Sequence, residues 1–239
     1  MPPARPVPAR TAPRAAAARA APRAAARAGR ARPHPRSAPS GGAAVDALPR
    51  LVLASASPRR RALLEAAGIA HEVVDPGGDG PGAATDPAQR VLEHARHKAR
   101  AGAALRPGRL VLAADTLVSC AGLILGKPHD AAEAEEMLRR LSGRVHEVWS
   151  GACLLLPSGV ALERADMAQV RFDAIAEADL RGYLAGGDWR DKAGAYAVQG
   201  AARRWARVVA GDRETAVGLR TATVAELLAA GTCSCAPGA

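Results

Sequence analysis

Leu51-Val52-Leu53-Ala54-Ser55-Ala56-Ser57-Pro58-Arg59-Arg60-Arg61 is the stretch from which the rest of the chain can be read. Four consecutive apolar residues bounded by small polar ones fit a short strand covered on both faces. Ser57 is a residue type that caps helices, and Pro58 fits a first helical position because its missing N–H is not needed there. The spacing that follows predicts an amphipathic helix to Ala67, closed by Gly68. A buried strand feeding straight into a helix is the unit of α/β architecture. Such a junction also points backbone N–H groups and the positive end of the helix dipole at whatever lies beyond the strand, which makes an anion site. The three arginines sharpen that expectation. Cations in a first helical turn oppose the dipole at about 0.3–1 kcal/mol each when exposed, and a bound anion reverses the sign. Against it stands composition, since an Arg-rich chain scatters arginines everywhere.

Working outward, residues 71–74 predict a second strand and 76–87 a Gly/Pro-rich loop. Residues 86–105 carry Val91, Leu92, Ala95, Ala99 and Ala103 at helical spacing. Leu110 to Ala114 predicts a buried strand ending at Asp115. Residues 131–141 predict a helix with Ala134, Met137, Leu138 and Leu141 on one face. Extended segments near 145–156 and 160–172 read as an antiparallel pair turning at Pro157-Ser158-Gly159. A helix near 177–185, a strand near 205–210 and a helix near 217–230 follow. Alternating strands and helices predict an α/β fold with a mixed sheet. No internal repeat is visible.

The 239 residues are 49% hydrophobic but only 3% aromatic, so a core must rest on Leu, Val and Ala. No apolar run approaches the roughly 20 residues that cross a bilayer. Cys120, Cys153, Cys233 and Cys235 make no disulfide framework, which suits a reducing compartment. Cys233 and Cys235 lie two apart but lack partner ligands for a metal. The net charge of +10 resembles a nucleic-acid signal until it is located. Residues 1–45 hold nine arginines and no acid, and taking those nine from the 33 basic residues leaves 24 against 23 acids. The folded part is therefore close to neutral, and the basicity belongs to an Ala/Pro/Arg segment read as a disordered tail over 1–45. Three readings of the tail stay open: an electrostatic nucleic-acid binder, an organellar transit peptide, or an extension from an upstream start. Residues 46–231 form the expected domain and 232–239 a flexible C-terminal tail.

Three constellations carry chemistry. The first is the junction already quoted. In the second, Asp115-Thr116 sits at the predicted end of a buried strand, where open α/β sheets place ligands and where a carboxylate can hold a divalent cation or take a proton from water. Turn and capping aspartates are common there too. Gly126-Lys127-Pro128 follows; it is no Walker A loop, since Ala121 stands at the first glycine position and Pro128 at the Ser/Thr, but Lys127 can bring a point charge to a phosphate. The third is Asp191-Lys192-Ala193-Gly194-Ala195-Tyr196-Ala197-Val198-Gln199-Gly200, in which Gln199 offers both a donor and an acceptor to a base edge. His94 and His97, with Glu93 beside them, read as a solvated helix face rather than a metal pair. Trp149, Trp189 and Trp205 read as packing residues, and His146 as a structural hydrogen-bonding one.

These segments, in this order, resemble the Maf family of nucleotide pyrophosphatases from about Arg50 to about Leu228. The stretches that carry it are Leu53 to Arg60, Ala95-Arg96-His97-Lys98-Ala99, Ala114 to Val118 with Gly126-Lys127-Pro128, Leu141 to His146, and Asp191 to Gly200. The resemblance implies an elongated, inosine triphosphatase-like mixed sheet with two lobes around a central cleft, often as a homodimer in the cytoplasm. It also implies hydrolysis of nucleoside triphosphates to monophosphate and pyrophosphate with a divalent cation such as Mg, Mn or Co. Carried over by motif, Asp115 is the proton acceptor and a metal ligand. Ser55, Arg60, Lys98, Lys127 and Lys192 line the triphosphate site. Arg59, Thr116 and Gln199 fall where the family separates its branches, and are similar to the branch acting on dTTP and UTP rather than on 7-methyl-GTP. A regulatory or nucleic-acid-binding relative linked to cell division is the non-enzymatic alternative. Two departures stand out. Val74-Asp75-Pro76-Gly77-Gly78-Asp79-Gly80 lacks the family's second acid, placing Gly80 there, so Asp79 or Asp75 must supply the second metal ligand. Arg220 replaces a usual Pro, read as structural.

Overall fold

A computed structural model describes residues 51–234. The readings made above for residues 1–45 and for Cys235 lie outside those residues. The element order is β1 (Leu51–Ala54), α1 (Pro58–Ala66), β2 (His71–Val74), α2 (Pro87–Leu105), β3 (Val111–Cys120), β4 (Leu123–Leu125) and α3 (Ala131–Leu141), continuing with β5 (Val145–Leu155), β6 (Ala161–Phe172), α4 (Glu177–Gly186), β7 (Ala206–Ala210), α5 (Arg213–Val217) and α6 (Thr221–Ser234). Short 3₁₀ turns occupy Ala193–Ala195 and Ala201–Arg204. The strands form one mixed sheet in the order β2-β1-β3-β5-β6-β7, with β4 paired to β3. β1 is parallel to β2 and β3, and every other pairing is antiparallel. Among the described residues no helix is long and apolar enough to cross a membrane.

Alternation along the central strands sorts the core onto two faces. Leu51, Leu53, Leu112 and Ala114 join Leu64 of α1 and Val224 and Leu227 of α6 in one cluster. Val52, Ala54, Val111 and Ala113 join Ala95 and Ala99 of α2 in the other. Burial on both sides is why these strands read as continuous apolar runs. A third cluster lies past the end of β1, where the face of α3 foreseen above packs with Phe172, Tyr183, Trp189, Tyr196 and Trp205. The few aromatic residues are concentrated here, edge to face, as in the Phe172–Tyr196 pair at 4.7 Å between ring centroids.

Three boundaries differ from the sequence expectation. β3 does not stop at Asp115 but runs to Cys120, because β5 pairs with it antiparallel through Asp115↔Gly151 and on to Ser119↔Glu147. What stops beside Asp115 is the parallel partner β1, whose last pair is Ala54↔Ala113. The helix expected near 217–230 starts only at Thr221, and the short α5 before it, not foreseen, is closed by Gly218, whose φ of +129° an L side chain rarely adopts. α6 also continues to Ser234, into the segment read as a tail. Arg220 lies between the two helices and contacts Asp166, Asp212 and Glu226, a structural network as expected.

Two glycines bring α2 close to the sheet. A Cβ on Gly102 would sit 2.6 Å from the Cβ of Ala54, and one on Gly151 would sit 2.9 Å from the Val91 backbone. The second contact is with backbone, which cannot step aside. Gly151→Ala should therefore destabilise the protein by about 1–3 kcal/mol, the range for an overpacked core. Urea denaturation measures this; a loss below about 0.5 kcal/mol would mean that α2 does not lie this close.

Candidate active site

Because β1 ends while β3 continues, the sheet opens a space beyond Ala54 that successive residues of β3 enter from opposite faces. Asp115 follows Val111 and Ala113 towards α2, whereas Thr116 follows Leu112 and Ala114 towards α1. On the α1 side, the buried Arg60 guanidinium donates to Ser55 Oγ (3.2 Å), Thr116 Oγ1 (2.8 Å) and the Gly218 carbonyl (2.9 Å). The break between α5 and α6 supplies that last acceptor. Burial lowers the Arg60 pKa, and the Asp115 charge pulls it back up. Ser57 does not cap α1 through its side chain, contrary to the sequence expectation. Its own N–H donates instead to Ser55 Oγ (3.2 Å), and no acidic residue occupies the first turn. Among the described residues, neither a side-chain cap nor an acid in its first turn compensates the positive end of α1.

On the α2 side, Asp115 is 3% exposed and accepts from Lys98 Nζ at Oδ1 (2.6 Å) and from His94 Nδ1 at Oδ2 (3.0 Å). Burial raises its pKa, but the His94 hydrogen bond and the charges of Lys98 and Arg60 outweigh that and hold it below the ordinary value. Lys98 is itself 5% exposed, and its ammonium also meets Asp79 Oδ1 at 2.5 Å. Asp79 reaches across to Lys127 as well, at 2.9 Å. Partial burial raises the Asp79 pKa, while both lysines lower it further, for a net fall. Of the two acids offered for the missing ligand, Asp79 is the one that enters; Asp75 turns back to accept from the Gly77 N–H at 2.9 Å. Gly80 has φ +73°, which an L side chain rarely adopts, and a Cβ there would require the exposed His97 ring to move aside.

The 188–200 segment closes the far side. Its backbone takes positive φ at Asp191, Gly194 and Ala195, and the Gly194 N–H donates to the Gly126 carbonyl at 2.9 Å, tying it to the Lys127 loop. A Cβ on Gly194 would press on Val118 of β3 at 3.0 Å. Burial lowers the pKa of Arg59 and, with repulsion from Arg59, that of Lys192. Gln199 Oε1 is buried without a hydrogen-bond partner, an acceptor that a ligand donor would satisfy. Arg190, not anticipated from the sequence, stacks its guanidinium 4.6 Å from the Trp189 ring centre and joins the lining.

These walls enclose a cavity of about 560 Å³. Asp75 apart, every residue carried forward above as catalytic, substrate-binding or metal-ligating lines it. Sequence reasoning went astray on His94, read as solvated but found on Asp115. The available signal was its place four residues before Lys98, on the same helix face. The residues present fit a divalent metal. Asp79 and Asp115 stand together on either side of the Lys98 ammonium and both line the cavity, and a hard ion of the Mg type takes one or two carboxylates and completes its shell with phosphate and water. Among the described residues no group of three or more His, Cys, Asp or Glu forms a preformed cage.

A mixed α/β sheet opening on one buried carboxylate, ringed by cations in a pocket of this size, defines a protein that binds a small polyanion at the end of a parallel strand. The chain belongs to the Maf family: residues 50–231 match the model described as "Maf-like protein". A relative from Deinococcus radiodurans named "dTTP/UTP pyrophosphatase" is 42% identical over 186 residues, covering 77% of this chain and 94% of the relative. One from Anaeromyxobacter sp. (strain Fw109-5) with the same name is 46% identical, covering 75% of this chain and 88% of the relative. The solved nucleoside-triphosphatase / dITP/XTP pyrophosphatase from Mycobacterium abscessus covers 78% of this chain and 96% of its own at 18% identity, with a TM-score of 0.39, too slight a likeness to add to this.

Tyr196 lines the cavity, and its hydroxyl meets His146 Nε2 at 2.7 Å in the aromatic cluster. Burial lowers the His146 pKa to about 4. The unfolded chain therefore binds a proton that the folded one refuses as pH falls from about 6.5. The stability this represents is complete above about 6.5 and is lost on acidification towards the folded value. Imidazole proton NMR should give a His146 midpoint near 4, and His146→Leu should remove that part of the acid slope in stability. A midpoint at or above the ordinary histidine value would refute the burial assigned to this ring.

Proposed function

We propose that this protein hydrolyses dTTP and UTP to the nucleoside monophosphate and pyrophosphate, with Asp115 as general base. The observation that carries the chemistry is the convergence of one buried, ionised carboxylate with Arg60, Lys98 and Lys127 on a single triphosphate-sized cavity. The family and the names of its relatives support the reaction and the nucleotide pair. Cations ring the cavity because attack at the α-phosphorus moves negative charge onto the leaving pyrophosphate, and fixed positive groups stabilise that transfer without reorganising. The uncompensated first turn of α1, with Arg59 and Arg60, is suited to the phosphate chain. Asp115 is kept ionised at neutral pH, and each of its oxygens retains a lone pair beyond the one engaged by Lys98 or His94. It can therefore orient a water and accept its proton as the water oxygen attacks. Asp79 and Asp115 would hold a divalent cation, which when bound supplies further positive charge at the phosphates. Release of Lys127 from Asp79 would then free its ammonium for a phosphate oxygen, while Lys98 stays on Asp115 Oδ1. Gln199, with its unpaired acceptor, fits the imide N–H of uracil or thymine, the group common to the two bases.

Pyrophosphate release should be fastest with dTTP and UTP in a panel that includes 7-methyl-GTP, and should need Mg²⁺ or Mn²⁺. Asp115→Asn should cut kcat by at least about 10²-fold, the scale of general base catalysis, with the fold intact by circular dichroism. Normal turnover in Asp115→Asn would overturn the base assignment, and preference for the methylated purine would overturn the nucleotide assignment.

A further inference from the structure

The Asp115 carboxylate is held by two donors rather than one. Lys98 takes Oδ1 at 2.6 Å, and His94 takes Oδ2 at 3.0 Å. We propose that His94 is a positioning residue that fixes the plane of the Asp115 carboxylate and so sets the direction in which its remaining lone pairs face the attacking water. This rests on the assignment of Asp115 as base.

A carboxylate turns easily about its terminal torsion, whose preference is broad and two-fold. A single partner on one oxygen leaves that rotation free, whereas donors on both oxygens from one rigid element remove it. His94 and Lys98 are four residues apart on α2, one above the other on the same face. Close packing at Gly151 and Gly102 keeps α2 near the sheet, which brings both side chains within reach. Because an ionised carboxylate only accepts, the shared hydrogen belongs to the imidazole, as Nδ1–H. The His94 side chain is 12% exposed and is confined from above by the glycine-rich loop. A Cβ on Gly82 would collide with the ring at Nε2, so the ring is pinned between that loop and the strand. The helix that carries the base's partners thus also supports the loop that delivers Asp79.

Asparagine and leucine separate the hydrogen bond from the shape. Asn Nδ2 stands as many bonds from Cα as His Nδ1 and keeps the donor; Leu fills similar space without one. With dTTP and Mg²⁺, His94→Leu should lower kcat about 10–100-fold, the usual loss when the partner of a functional group is removed. KM should stay within about threefold, and His94→Asn should recover most of kcat. Thermal melts of both variants report folding, and His94→Ala serves as the donorless variant if His94→Leu does not fold. A donorless variant with kcat within about twofold of the parent, a change confined to KM, or an Asn variant no better than the donorless one would overturn the proposal. Asp115→Asn assayed in parallel separates the two failures. An active Asp115→Asn sinks the base assignment itself, whereas an inactive one beside an active donorless His94 variant sinks only the role of His94.

Discussion

A lysine ammonium that is 5% exposed cannot be left without counter-charge, since removing an isolated cation from water costs several kcal/mol or more. Lys98 meets that demand by standing between Asp115 on β3 and Asp79 on the glycine-rich loop. Helix, strand and loop are thereby tied at one point. The close packing of α2 on the sheet and the course of the loop over its histidines both serve to keep those charges together. A buried ion pair of this kind is weak support for stability, because burying its two members offsets much of their attraction. Its value lies in what it holds in place.

The cavity has two electrostatic halves. Near α2, Lys98 and Lys127 are balanced by Asp79 and Asp115, so that half is close to neutral without a ligand. Towards α1 and the 188–200 segment stand Arg59, Arg60 and Lys192, and burial lowers the pKa of each. A polyanion entering there would relieve the repulsion between Arg59 and its cationic neighbours Arg60 and Lys192. The mutual compensation near α2 explains how so basic a lining is compatible with a stable fold.

Most elements were legible because their signals are local. The β1–α1 junction, the span of α2, and the turn at Pro157-Ser158-Gly159 with φ +86° at the glycine all follow from nearby residues. The failures share a different cause. The length of β3 depends on a partner 36 positions away, through Asp115↔Gly151. Gly218 breaks a helix where its carbonyl becomes the acceptor of a guanidinium 158 positions distant.

The sequence by itself determined the alternating architecture, the neutral balance of the chain beyond the arginine-rich segment, and the identity of the charged groups, since residue type and short spacing encode these. It also carried the family through motifs whose order survives in the linear chain. Only the tertiary structure decided that Asp79 and not Asp75 answers Lys98, that His94 turns inward, and that Gly80 takes a left-handed conformation beside His97. Those outcomes depend on distances between segments far apart in the chain, and the packing of α2 against the sheet fixes those distances.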